Sequence, residues 1–154
     1  MITLTPKKWL VLAAIVVAIA GLFDSVYLTI HHYTAEPVPC SITEGCEMVL
    51  TSAYAEVAGL PLAIFGAGAY LFALIFATMA LFGRRGMWLL YGLLATMMAL
   101  FSAWLIYVQA ALIGAFCQFC LLSAASSTLL FVIFIVSVFS GRKPASTDDD
   151  AAAE

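Results

Sequence analysis

Charge is what this sequence has least of. Only 10% of its 154 residues are charged, six basic and nine acidic, while 65% are hydrophobic. The mean hydropathy is +1.11. Soluble domains carry roughly a quarter of their residues as charges, so most of this chain has lipid as its solvent. The net charge of −3 comes with no basic run that could neutralise a row of phosphates, which excludes nucleic-acid binding. Nicotinamide and flavin fingerprints are absent, as is any repeat with a period of about 20–50 residues.

What the chain does have is long apolar runs. A helix needs about 20 apolar residues to cross roughly 30 Å of hydrocarbon. The runs Trp9–Ile30, Leu60–Phe82, Met87–Ile113 and Cys117–Ser140 meet that length. Asp24 is their only charge, and the last three are so apolar that no polar stripe marks an aqueous face. The expectation is an all-α integral membrane protein, a bundle of four transmembrane helices with a loop or short helical cap between the first two. Residues 1–142 form one membrane domain in this reading, and residues 143–154 a disordered tail carrying Asp148-Asp149-Asp150. Ala63, Gly66, Ala67 and Gly68 supply the small side chains that close packing in a bilayer requires. Lys7, Lys8 and Ala18-Ile19-Ala20 resemble a secretory signal, but the run continues through Phe23, Val26, Tyr27, Leu28 and Ile30, too far for a signal core.

Orientation follows from the positive-inside rule. Lys7 and Lys8 precede the first run, Arg84 and Arg85 join the second to the third, and Arg142 and Lys143 follow the fourth. Both termini are therefore expected to be cytoplasmic. The opposite connections, 31–59 and 114–116, contain no Lys or Arg, and the longer one carries Glu36, Glu44, Glu47 and Glu56. Cys40 and Cys46 lie in that loop, and Cys117 and Cys120 open the fourth helix at the same end, so all the cysteines are expected on the extracytoplasmic face.

Cys117-Gln118-Phe119-Cys120 sets two sulfurs three residues apart, on one helical face. At a helix N-terminus the unpaired amides and the positive dipole end favour a thiolate, the nucleophile of disulfide exchange. Cys40 and Cys46 enclose a short segment in which Gly45 is available for an unusual backbone angle; a purely structural bridge is the plain alternative there. A zinc site fits C-x5-C poorly. Two exchangeable pairs on one face can pass electrons from the loop to the helix and on into lipid. A quinone suits the acceptor, because it takes up the two electrons and two protons that closing a disulfide releases. The rival is a non-enzymatic scaffold with two static bridges.

Asp24, a carboxylate within a span, either handles protons or orients a ligand, or else only hydrogen-bonds a neighbouring helix. His31 and His32 read as interfacial residues. Trp9, Trp88, Trp104 and Tyr107 read as belt or packing residues.

In the order Cys40, Cys46, the segment Val49-Leu50-Thr51-Ser52-Ala53-Tyr54-Ala55, Gly59-Leu60-Pro61-Leu62, Phe65-Gly66, Tyr70 and the closing CxxC, the chain resembles the vitamin K epoxide reductase family. The resemblance spans the bundle and is to the bacterial branch, enzymes of the plasma membrane. It implies electron flow from a separate thioredoxin-like thiol oxidase to Cys40 and Cys46, then to Cys117, with Cys120 as the sulfur that attacks a ubiquinone or menaquinone. It implies a quinone site for which Ser52, Leu62, Phe65, Phe116, Ala124 and Asp24 are the candidates, Ser52 alternatively serving as a helix cap. It also implies that the segment after Cys46 caps the bundle as a short amphipathic element, with Tyr54 at the interface. Leu62 and Ala124 stand where the vertebrate branch has an asparagine and a tyrosine, so reduction of vitamin K epoxide is not expected. No metal is implied.

Overall fold

The computed structural model describes residues 6–34, 38–40 and 45–141. Glu36, Glu44, Arg142, Lys143 and the tail, all used in the sequence reading, lie outside these residues. The helices are α1 (Lys8–Thr34), α2 (Cys46–Leu50), α3 (Leu62–Leu81), α4 (Arg85–Tyr107) and α5 (Gln118–Gly141). A π-helical turn, Val108–Ile113, continues α4. Four stretches are long and apolar enough to span a bilayer: Lys8–Thr34, Leu62–Leu81, Gly86–Ile113 and Gln118–Ser140. A spanning helix satisfies its backbone hydrogen bonds internally, the condition lipid imposes.

The boundaries shift for local reasons. α1 runs on to Thr34, whose hydroxyl donates to the Ile30 carbonyl at 3.1 Å, so His31 and His32 occupy its last turn rather than the loop. Leu60 and Pro61 belong to a two-stranded antiparallel hairpin, β1 (Glu56–Val57) and β2 (Leu60–Pro61), paired Glu56 to Pro61 and Val57 to Leu60. Ala58 and Gly59 turn the hairpin with φ of 55° and 79°, the left-handed pair of a tight hairpin turn. Pro61 then precedes the first residue of α3, where its missing N–H costs nothing. The cap is thus a five-residue helix, a run of turns and this hairpin, tied to α1 by His32 Nε2, 3.5 Å from Glu56 Oε1.

Neighbouring spans run antiparallel. Lys7, Lys8 and Arg84 therefore share one end of the bundle, and the cysteines the other. The half near the basic end is solid. Ala14, Ala18, Ala73, Ala77, Ala95, Tyr70, Trp88, Tyr91 and Leu130 are all fully buried. Trp88 stacks on Tyr91 with ring centroids 4.5 Å apart and donates to Ser137 Oγ at 2.7 Å; it is a packing residue, whereas Trp9, Trp104 and Tyr107 are exposed at the bundle surface. The ring of Tyr70 lies directly over Gly21, leaving no room for a Cβ there. Gly66 faces Ser25, but Gly68 has nothing within 4 Å. The close contact between α1 and α3 therefore rests more on Gly21 and the buried alanines than on Gly68.

Gly21→Val should displace the Tyr70 ring and cost about 1–3 kcal/mol, whereas Gly68→Ala should change stability by less than about 0.5 kcal/mol. Thermal unfolding of both variants in detergent measures the difference.

Candidate functional site: two cysteine pairs above an apolar cavity

The end of the bundle that carries the cysteines is built around one turn. The π-helical segment ends at Gly114, whose φ of 71° reverses the chain. The Gly114 and Ala115 N–H groups both donate to the Gln109 carbonyl, at 2.9 and 3.2 Å. The Gln109 side chain then bends toward α5 and its Oε1 accepts the Cys117 N–H at 2.9 Å. Gln109 is only 3% exposed. A buried carboxamide inside a span is costly unless it is used, and this one fixes where α5 begins.

Cys117 sits immediately before α5, in the position a capping residue takes. Its Sγ accepts the Cys120 N–H at 3.4 Å, as a capping oxygen would. Cys117 lies just outside the fourth span; the neighbouring Cys120 thiol, hydrogen-bonding to its sulfur, holds the Cys117 thiol below its ordinary pKa against the opposing effect of burial. The largest cause is thus the partner thiol, with the backbone N–H groups of Phe119 and Cys120 at the helix start acting in the same direction.

Cys40 and Cys46 form a disulfide, with Cα atoms 6.3 Å apart, while Cys117 and Cys120 are free thiols. The two pairs meet. Cys46, Val49 and Cys117 form one buried apolar cluster, against which Cys40, Cys120, Ile113, Ala115 and Phe119 pack. Gly45 makes this contact possible, though not by backbone freedom: its φ and ψ are an ordinary −93° and 2°. A Cβ on Gly45 would stand 2.8 Å from Ala115 Cβ and 2.9 Å from the Phe116 carbonyl, so only glycine lets the loop dock on the turn. Gln118 Nε2 latches the loop further, donating to the Pro39 carbonyl at 3.3 Å.

Below the cysteines the bundle is hollow. A cavity of ≈390 Å³ extends from the cap between the spans, and its lining includes Ser52, Leu62, Phe65, Cys120 and Ala124. Phe116 and Asp24 are not among its lining residues. Phe116 is 42% exposed on the turn and approaches Gly45 through its backbone. Asp24 is 8% exposed within the bundle, and its Oδ2 has no hydrogen-bond partner among the described residues. Ser52 lines the cavity and also caps α2, donating from Oγ to the Val49 carbonyl at 2.7 Å.

The sequence reading passed over several lining residues. Gln109, Ser25, Ser102, Ser123 and Ser127 bring polar groups to the cavity, as does Tyr70, which the reading had noted only as part of the resemblance. Ser123 and Ser127, four residues apart on one face of α5, were the one stripe that spacing could have revealed. Gln109 was also detectable, as the sole carboxamide between Met87 and Ile113.

Free thiols beside a bridge, above a cavity of ligand size between membrane helices, define a membrane protein built for thiol–disulfide exchange. A comparison with family models agrees: residues 12–135 match the vitamin K epoxide reductase family. The chain belongs to that family, which makes it a membrane disulfide oxidoreductase. Family members use quinones and work with a redox partner.

Gly45→Val should leave the Cys40–Cys46 bridge formed but slow exchange between the two pairs by roughly 100-fold, the cost of an ångström-scale misplacement of reacting groups. Acid quenching and alkylation at timed intervals after adding a small dithiol would measure it.

Proposed function

We propose that this protein oxidises a separate thioredoxin-like dithiol protein and reduces a membrane quinone, thereby driving disulfide formation in exported proteins. One observation carries the reading: all the cysteines share one apolar cluster, and of the four only Cys120 also lines the cavity. The two ends of the proposed relay are the accessible ones. Cys40 is partly exposed, Cys46 and Cys117 are buried at 1% and 0%, and Cys120 faces the cavity.

In this reading a partner thiolate attacks Cys40 and releases the Cys46 thiolate. Cys46 attacks Cys117 of an oxidised CxxC and releases Cys120. The partner's second thiol then attacks its own sulfur in the bond to Cys40, leaving as a disulfide, and the freed Cys40 attacks Cys46 to release Cys117. The outcome is a loop disulfide and a reduced CxxC, the state observed here. Closing the Cys117–Cys120 bond releases two electrons and two protons, which a quinone takes up. Leu62, Phe65, Ala124 and Ser52 would enclose its ring, and the ≈390 Å³ cavity fits a quinone head group. Asp24 and Phe116 have no wall position in support of the same role. Apolar Leu62 and Ala124 favour a simple quinone over vitamin K epoxide.

The setting proposed is a bacterial plasma membrane, with residues 1–142 as one membrane domain, both termini cytoplasmic and the cysteines outside. The grouping of Lys7, Lys8 and Arg84 at the end opposite the cysteines supports that orientation. The static-scaffold alternative predicts bridges that resist mild reductant in the folded protein, whereas relay disulfides open under it and reclose when quinone is added.

Cys120→Ala should reduce quinone turnover to background with any donor. Cys40→Ala or Cys46→Ala should block a reduced thioredoxin-like donor yet spare turnover with a small dithiol. Quinone absorbance after mixing purified protein, donor and a short-chain quinone reads both; undiminished reduction by the Cys120 variant would refute the proposal.

A further inference from the structure

A quinone has two carbonyl oxygens and no hydrogen to donate, so a site that orients it needs a donor on the protein. Of the hydroxyls around the cavity, all but those of Ser25 and Tyr54 are already engaged. Ser52 donates to the Val49 carbonyl at 2.7 Å. Tyr70 donates to the Ser123 carbonyl at 2.7 Å, and the Ser123 hydroxyl lies 3.1 Å from the Tyr70 oxygen. Ser127 donates to the Ala124 carbonyl at 3.0 Å, which leaves the Ser102 hydroxyl, 2.7 Å away, to donate to Ser127.

Gln109 is different. The Cys117 N–H is a donor, so only the oxygen of the carboxamide can face it, and this fixes the amide orientation. The nitrogen must then point away from Cys117. It carries two hydrogens and makes no hydrogen bond to any described residue, although Gln109 is held at one end and lines the cavity together with Cys120. A locked amide with its donor half unspent, lining the same cavity as the sulfur that closes the final disulfide, is a preformed polar contact in a largely apolar site.

Building on the quinone reading of the cavity, we infer that Gln109 has two roles: its Oε1 positions Cys117, and its Nε2 donates a hydrogen bond to a carbonyl oxygen of the bound quinone. One side chain thereby sets the ligand and the CxxC in a common frame.

The test uses the full-length protein, a small dithiol and a short-chain benzoquinone labelled with 13C at its carbonyls. In wild type one carbonyl stretch of the bound quinone should fall below that of free quinone. In Gln109→Met the lowered band should return to the free position and the quinone KM should rise about tenfold, the worth of one hydrogen bond in a desolvated site. A rise in KM with the lowered band retained would leave Gln109 a packing residue and overturn the donor role, as would no lowered band in wild type. A second measurement needs no variant at position 109. The chain has two glutamines, Gln109 and Gln118, so side-chain 15N labelling gives two amide groups, assigned through Gln118→Ala. Quinone should move one Gln109 amide proton downfield; an unmoved signal with quinone bound overturns the inference. Failure of wild type to bind or reduce quinone at all would instead overturn the reading of the cavity.

Discussion

A helix that starts at the edge of a bilayer leaves its first amide groups short of partners where water is scarce. Here one glutamine absorbs that demand. Gln109 accepts the Gly114 and Ala115 N–H groups on its carbonyl and the Cys117 N–H on its side chain. These bonds end the third span, shape the turn and fix the first residue of the CxxC. Much of the site depends on them. The turn is the surface on which Gly45 docks, and that docking brings Cys46 into the cluster with Cys117. Without the Gln109 contacts, the loop bridge and the helix thiols would be two unrelated features at one end of a bundle.

The bundle below divides its labour by packing density. Near the basic end, alanines and Gly21 let the helices approach closely, and Trp88, Tyr91 and Tyr70 fill the remaining space with their polar atoms hydrogen-bonded. Van der Waals contact of this kind holds helices together in lipid, where the hydrophobic effect does not. Near the cysteine end the spans part around the cavity and are bridged by the cap and hairpin instead. A rigid lower half thus holds open an upper half that packing alone would not stabilise.

The spans, their number and the clustering of the cysteines at one end were legible in the sequence because each rests on a coarse property: run length, charge asymmetry and spacing. Other features depend on atoms that meet only in three dimensions. The α1 extension to Thr34 and the hairpin at Leu60–Pro61 escape a hydropathy reading, since apolar residues serve a helix and a short strand alike. Gly45 was noticed for its freedom of φ, yet its use is proximity. Gly68 looked like a packing residue and faces open space. The serines lining the cavity come from different helices, and sequence spacing does not show that Ser102 and Ser127 meet across α4 and α5.

That meeting bears on what the cavity prefers to hold. Hydroxyls that hydrogen-bond to one another and to helix carbonyls present little unsatisfied polarity to a ligand. Water gains little by entering such a space, whereas an apolar ring loses nothing there. With most hydroxyls spent and the Gln109 nitrogen left over, the cavity suits a largely apolar molecule that carries an acceptor. In the proposed relay this matters to the thiols as well. Cys117 and Cys46 are shielded from solvent, and Cys120, partly exposed, lines the cavity. In that relay, electrons arriving as thiols would leave by way of the cavity that Cys120 lines.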